Sequence, residues 1–385
     1  MPACSELERR LRSRLAEIDA AGLRRSLRPP TGIDLSSNDY LSLSAHPLLR
    51  RAMADAAARD GCGSTGSRLL RGERDAFARL EQRFAAFKNA PRALYFSSGY
   101  LANLAVLSTL PEAGDVLYSD ERNHASLIDG MRLSRARRII FPHNDLAALA
   151  HLLAEDRAPG QKFVVTESLF SMDGDMSPLA ALADLCAACG AALIVDEAHA
   201  VGVYGARGSG LLEAAGVQAL ISINTAGKAL GVSGAFVAGP DWIIEYLIQR
   251  ARPFLFSTAA PPPVAAALDA SLTLLETESW RRQQLLDRSA YLRRRLIDAG
   301  IPATAGVSQI VPVIVGENHH AVELAQALQQ AGFDARAIRP PSVPPGTARL
   351  RLSVNADLTE ATLDRFVAVL TAAWQDHRVC STVSS

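Results

Sequence analysis

From His46 to about residue 240 the chain repeats one pattern: a short apolar run, a break, then a longer stretch with apolar positions at helical spacing. The runs are Ala93 to Phe96, Val116 to Ser119, Arg138 to Phe141, Phe163 to Glu167, Ala191 to Asp196, Leu220 to Asn224 and Ala235 to Ala238. Runs that do not alternate with polar residues fit strands buried on both faces, and the helical stretches between them supply the crossovers that parallel pairing needs. The pattern predicts an α/β fold with a mostly parallel, doubly wound sheet. Upstream, Leu7, Leu11, Leu15 and Ile18 predict an amphipathic helix whose apolar stripe must dock, and Pro29-Pro30-Thr31-Gly32 breaks the chain after it. Downstream of Pro261-Pro262-Pro263 the pattern changes. A helix through Leu272, Leu275 and the arginine-rich Trp280 to Arg295 leads out of the sheet domain. Ile310 to Val315 and Arg349 to Val354 then read as strands. Asp357 with Glu360 is expected to cap a helix whose Leu363, Phe366, Val367, Leu370 and Trp374 share a face. The predicted organisation is an N-terminal helical segment (1–36), a large α/β domain (37–272) and a small α+β domain (273–385), with no internal repeat.

At 385 residues the chain exceeds one ordinary core, and its apolar fraction of 49% is that of a folded globule. Lys plus Arg equals Asp plus Glu at 40 each, so no overall field favours nucleic acid or anionic lipid. Apolar stretches fall short of the ~20 residues that span a bilayer, and the N-terminus is charged where a signal peptide is apolar, so a cytoplasmic protein is expected. Cys4, Cys62, Cys186, Cys189 and Cys380 are too scattered for a disulfide framework. Cys186 and Cys189 form a literal CxxC, but no second pair completes a zinc site, and core packing is the expected role.

The chemistry gathers at the predicted strand ends, the edge at which open α/β sheets bind ligands. Lys228 stands in an uncharged, small-residue segment, Ser222 to Val232, with no carboxylate neighbour to hold its charge, as suits a Schiff-base lysine. Asp196 closes the run from Ala191. A lysine for a Schiff base and an aspartate for a pyridinium nitrogen are a protein's two signature contributions to pyridoxal phosphate chemistry. Thr225 can offer a hydroxyl to the cofactor phosphate. Ser97-Ser98-Gly99-Tyr100 opens a helix after a strand and suits a phosphate held by backbone N–H groups, where Tyr100 or His124 covers the ring. His124 and His199 follow strand ends on the same side and join this constellation. Three other matches fail on context. Gly61 to Gly66 is a GxGxxG that follows a helix-like run, Asp196-Glu197-Ala198-His199 lacks a P-loop, and Gly174 with Asp175 lacks the spacing of a calcium loop.

The chain resembles the α-oxoamine synthases, pyridoxal phosphate enzymes of the aspartate aminotransferase fold (fold type I) that join an amino acid to an acyl-CoA. The resemblance runs nearly end to end, through Ser37 to Leu41, Gly63 to Arg68, Asn123 to Leu127, Thr166 to Asp175, Asp196 to Gly202, Gly227 to Gly234, Phe256 to Thr258 and Ile338 to Leu352. The segment Ile338 to Arg349 favours the user of L-alanine and a pimeloyl thioester over the acetyl, succinyl and palmitoyl users. The resemblance implies that Lys228 carries the cofactor, Asp196 pairs with its ring nitrogen and His124 stacks on the ring and touches substrate. It also implies Ser171 and His199 near the cofactor O3′, Gly99, Tyr100 and Thr225 at the phosphate, and Arg24, Asn38, Arg351 and Ser353 as substrate contacts, Arg351 for the amino-acid carboxylate. It implies a homodimer in which Ser257 and Thr258 reach the neighbouring subunit's phosphate. Two positions depart from the family: Ser42 stands where glycine is usual, and Val201 where threonine is common. A sister enzyme with another amino acid and acyl chain, or a non-catalytic dimerisation partner of such an enzyme, are the competing expectations.

Overall fold

The computed structural model describes residues 5–304 and 306–383, with side chains described to residue 375. Cys4 and the Cys380 side chain lie outside the described residues; the tail is helical as far as Val383. Twelve strands are described: β1 (Ile33–Asp34), β2 (Arg92–Phe96), β3 (Val116–Asp120), β4 (Arg137–Phe141), β5 (Lys162–Glu167), β6 (Ala191–Asp196), β7 (Ile221–Thr225), β8 (Ala235–Gly239), β9 (Ile310–Gly316), β10 (Phe333–Asp334), β11 (Ala337–Ile338) and β12 (Ala348–Ser353). The chain divides into two compact units.

The first unit, residues 38–171 and 175–285, is built on a seven-stranded sheet of order β2-β8-β7-β6-β5-β3-β4. β8 is the one reversed strand, antiparallel to both β2 and β7. Every apolar run of the large-domain pattern becomes one of these strands, with ends within one residue of expectation. Successive residues face opposite layers. Leu117, Val165 and Ile194 join the core under helices Gly99–Thr109, Ala125–Leu133 and Asp241–Arg250, whereas Tyr118, Val164 and Val195 join the core under Leu146–Glu155 and Leu179–Ala188. Burial on both faces is why the runs of the inner strands do not alternate, whereas the edge strand β4 leaves Arg137, Arg138 and Ile140 exposed. Each such side chain contributes about 1.5–3 kcal/mol on leaving water. Cys186 belongs to the second core, as expected, and burial pushes its thiol pKa up to about 12.

Ser42 has φ +55° and closes a turn on the Asp39 carbonyl, a left-handed conformation in which glycine carries no Cβ penalty. This gives the family's usual glycine its physical reason. Val201 is fully buried, where a methyl needs no hydrogen-bond partner and a hydroxyl would.

The second unit comprises residues 1–37, 172–174 and 286–385. It holds an antiparallel sheet β11-β12-β9 and the parallel pair β1-β10. The N-terminal segment therefore groups with the C-terminal part, and the division falls at Leu285, thirteen residues beyond the expected boundary at 272. Helix Pro262–Thr277 explains the shift: eleven of its residues are buried and it packs on helix Pro47–Asp60 inside the first unit. The continuous helix expected from Leu272 to Arg295 is broken at Glu278, and Trp280–Asp298 is a separate helix. Helix Glu360–Val383 buries Leu363, Phe366, Val367 and Leu370 as predicted, but Thr359 caps it, its Oγ1 accepting from the Thr362 N–H at 3.2 Å; Asp357 stands outside. Helix Ser5–Ala20 forms as expected, yet Leu7, Leu11, Leu15 and Ile18 stay 38–47% exposed, so the stripe that was to dock is open in the single chain.

Candidate active site

The register of the parallel strands places Glu167 opposite Asp196 and Asp196 opposite Ile223. The carboxyl ends of β5, β6 and β7 thus form one ledge, and Lys228 follows it in a turn closed by Ala226 N–H to Gly234 O (2.8 Å) and Gly231 N–H to Lys228 O (2.8 Å). Asp196 is buried at the ledge. Its Oδ2 accepts from Asn103 Nδ2 at 2.7 Å and its Oδ1 from the Ala198 N–H at 2.8 Å.

Asn103 links this carboxylate to His124. Its Nδ2 also donates to Ser126 Oγ at 2.8 Å, and Ser126 Oγ lies 2.7 Å from His124 Nδ1. Because Nδ1 also accepts the Ser126 N–H (3.2 Å), the neutral imidazole carries its proton on Nε2. The His124 N–H donates to Glu167 Oε1 at 2.6 Å. Glu167 is wholly buried, and desolvation together with the Asp196 charge raises its pKa well above the usual carboxylate value, against the opposing effect of Lys228. The His124 side chain is exposed, yet enough protein surrounds it for desolvation to be the largest influence, and its pKa is lowered; Lys228 lowers it further while Asp196 opposes. Asp196, Glu167, His124 and Lys228 therefore form one electrostatic group.

His199 is buried, with Nδ1 2.7 Å from Tyr40 Oη, which also lies 3.0 Å from Asn38 Oδ1. Ser171 is half-buried in the turn between Leu169 and Met176, which pair as an isolated bridge. At the far end Gly99 begins helix Gly99–Thr109, capped by Ser98, and a Cβ at Gly99 would lie 2.4 Å from Thr225 Oγ1. Glycine is what lets the helix start against that hydroxyl, with the helix's first N–H groups lacking intrahelical acceptors beside it. Tyr100 is exposed and its hydroxyl donates to Asp129.

Arg24, Arg351 and Ser353 belong to the second unit. Arg24 is exposed and pairs with Asp19 at 2.7 Å. Arg351 and Ser353 are buried on one face of β12, and the Arg351 Nη1 donates to Ser353 Oγ at 2.7 Å. Gly61 to Gly66 follows helix Pro47–Asp60 and no strand, and no group of three or more potential metal ligands occurs among the described residues.

Sequence reasoning missed Asn103 and His143. The signal for Asn103 was a lone amide on a largely apolar helix, four residues after Gly99. His143 gave no such signal. Its Nδ1 donates to Asp120 Oδ1 at 2.9 Å and its Nε2 to Asp175, clamping the loop that leads to His124 and the turn that follows Ser171. Burial pushes its pKa down, but the two carboxylates outweigh burial and hold it at about 9. A folded pKa above the ordinary 6.5 stabilises the fold fully below pH 6.5, and that contribution is lost as pH rises toward about 9. His143→Gln is expected to unfold at a temperature a few degrees lower than wild type at pH 6, with the gap closing by pH 10; a pH-independent gap in thermal denaturation would contradict this.

A mostly parallel sheet with one reversed strand, and a lysine, a buried aspartate and a histidine at its carboxyl edge, define a cofactor-dependent enzyme of the aminotransferase class. The chain belongs to the class I and II aminotransferase family, whose profile matches residues 30–370. Among curated relatives, the 8-amino-7-oxononanoate synthase of Anaeromyxobacter dehalogenans is 47% identical over 377 residues, covering 94% of each chain. The solved 8-amino-7-oxononanoate synthase of Francisella tularensis has a TM-score of 0.78 and 30% identity, covering 90% of this chain and 99% of that one. A serine palmitoyltransferase from S. paucimobilis, solved with a bound PLP–myriocin aldimine, has a TM-score of 0.89 and 29% identity, covering 96% and 98%. The residues present fit pyridoxal phosphate. Asn103 Oδ1, Ser168 Oγ and Asn224 Oδ1 are buried without a hydrogen-bond partner, Asp196 offers a carboxylate for a ring N–H, and the Gly99–Thr225 cradle suits a phosphate.

Proposed function

We propose that this protein condenses L-alanine with a pimeloyl thioester, on CoA or a carrier protein, with loss of CO2, giving 8-amino-7-oxononanoate for biotin synthesis. The observation that carries the reading is Lys228 and the Asp196–Asn103–Ser126–His124 chain at one sheet edge, in a sequence 47% identical to an enzyme of that name.

When bound, pyridoxal phosphate supplies the electron sink that makes the Cα bonds of an amino acid labile. In this reading Lys228 would hold the cofactor through Nζ, and the same amine would serve as the base for the Cα proton of alanine; a positioned base is worth roughly 10²- to 10⁴-fold. Asp196 keeps a proton on the pyridine nitrogen, and Asn103 holds that carboxylate in place. His124 covers the ring, and its outward Nε2–H donates to the acyl carbonyl oxygen as negative charge develops there. Ser171 and His199 orient the O3′ end. Gly99, Tyr100 and Thr225 hold the phosphate. Arg24, Asn38, Arg351 and Ser353 bind substrate, with Arg351 taking the amino-acid carboxylate.

The assembly proposed is a homodimer with active sites at its interface, Ser257 and Thr258 serving the partner's phosphate. No helix among the described residues is long and apolar enough to cross a membrane, and a cytoplasmic location fits this role.

The test is CoA release by the cofactor-loaded protein, with pimeloyl-, acetyl-, succinyl- and palmitoyl-CoA against L-alanine, glycine and L-serine. Release should peak with pimeloyl-CoA and L-alanine. A peak elsewhere moves the protein to a sister activity, and a colourless protein that takes up no pyridoxal phosphate favours the non-catalytic partner.

A further inference from the structure

The loop from Pro142 to Asp145, which follows β4, carries none of the residues assigned to the site, yet within the first unit it braces two segments that do. His143 stands between Asp120, at the end of β3, and Asp175. A carboxylate oxygen only accepts, so each ring nitrogen that faces one carries a proton, and the bridging imidazole is the doubly protonated cation. Asp120 is buried and serves three donors at once: Oδ1 takes the Arg122 N–H at 2.8 Å beside the histidine, and Oδ2 takes the Asn144 N–H at 2.9 Å. Asn144 has φ +56° there, a left-handed conformation that asparagine adopts more readily than most residues. Arg122 lies two residues before His124. On the other side the His143 ring meets Phe170 edge-on, with centroids 4.4 Å apart and planes at 90°, and the Phe170 N–H donates to the Asp175 carbonyl at 2.9 Å. Phe170 directly precedes Ser171. Asn144 extends the brace: its Nδ2 donates to the Met176 carbonyl at 3.3 Å, and Ser177 Oγ, 3.2 Å from Asn144 Oδ1, donates to the Glu167 carbonyl at 2.8 Å.

An apolar side chain against Phe170 would serve packing alone, without the hydration that a buried ion pair gives up. What the ionic bridge adds is direction, since each N–H fixes one carboxylate at one distance and angle. We propose that His143 is a positioning residue for the reaction: by bridging Asp120 and Asp175 it holds His124 and Ser171 in one fixed arrangement. The proposal rests on the functional reading above, in which His124 serves the acyl carbonyl and Ser171 the cofactor O3′. It extends that reading to a residue that acts only through others.

The test compares wild-type holoenzyme with His143→Gln, Asp175→Ala and Asp175→Asn, each well below its melting temperature. Turnover of pimeloyl-CoA with L-alanine is measured beside the absorption spectrum of the bound pyridoxal phosphate and the proton NMR of the His124 ring. A glutamine amide reaches one carboxylate and not both, so His143→Gln should lower kcat about 10- to 100-fold, the cost of a misplacement of about 1 Å, with KM for pimeloyl-CoA within about threefold of wild type. The absorption spectrum, which responds to what reaches O3′, and the His124 ring signals should both change. Asp175→Ala breaks the bridge at a half-buried position and should reproduce these changes, which keeps the test open if His143→Gln does not fold. Asp175→Asn keeps a group that can accept from or donate to the ring and should stay within about threefold of wild type in kcat. A loss confined to melting temperature, with kcat, spectrum and ring signals unchanged in His143→Gln and Asp175→Ala, marks a purely structural clamp and overturns the proposal. So does an Asp175→Asn variant as impaired as Asp175→Ala. A wild type that turns over no acyl-CoA rejects the functional reading, while the spectra and His124 signals of the variants still decide the bridge, so the two failures are distinguishable.

Discussion

Lys228→Ala is expected to lower kcat by about 10⁴-fold or more while leaving the fold intact. The size follows from the two roles assigned to one amine. In the proposed function Lys228 would both anchor the cofactor beside Asp196 and serve as the base for the Cα proton, so one substitution would remove both the anchor and the base. The fold should survive because the turn around residue 228 is closed by backbone bonds, from Ala226 to Gly234 and from Val232 to Ala226, that do not involve the side chain. Two readouts separate this from simple misfolding. Borohydride reduction of wild-type holoenzyme should fix the cofactor to the peptide containing Lys228, and the variant should bind pyridoxal phosphate weakly and without that linkage. His124 reports as well: Lys228 lowers its pKa, so the alanine variant should titrate His124 at higher pH. Turnover near wild type in the variant would end the mechanism.

The large-sheet strands were legible because burial on both faces imposes short apolar runs, told from the apolar helices between them by their length and their flanking breaks. Asp196, which ends one of those runs, was legible for the same reason: a strand's end fixes which sheet edge its last residue occupies. What failed were claims about partners in space. Leu7 to Ile18 announced an amphipathic helix, but periodicity says nothing of what covers the stripe. Asp357 was credited with a cap that Thr359 makes, since a capping pattern tolerates shifts of one or two residues. His143 was invisible because its significance lies in Asp120 and Asp175, 23 and 32 residues away, brought to its two nitrogens by the sheet. Asn103 was harder still to read: its amide reaches Asp196 across 93 residues, and only the register of the ledge shows that the one amide on this largely apolar helix is the brace of the site.

That brace sets the terms for the second large effect. Asp196→Asn is expected to reduce kcat by about 10²- to 10³-fold, the usual cost of losing one preorganised electrostatic partner. The variant should still take up pyridoxal phosphate through Lys228. The carboxylate now accepts from two donors, Asn103 Nδ2 and the Ala198 N–H, and keeps lone pairs for the ring nitrogen. An amide must turn its NH2 toward one of those donors, so it loses both the negative charge and one hydrogen bond. Two neighbours should register the lost charge in opposite contexts but the same direction. Glu167, whose pKa Asp196 raises, should ionise more easily, and His124, which Asp196 also supports in its protonated form, should titrate at still lower pH. Carbon-detected NMR of the Glu167 carboxyl and proton NMR of the His124 ring would follow both. Asn103→Ala tests the same argument from behind, since it leaves the charge but frees the carboxylate to rotate; it should lower kcat less than Asp196→Asn and leave the pKa of Glu167 raised. If Asp196→Asn kept activity within about tenfold of wild type, ring-nitrogen protonation would not be the service this aspartate performs.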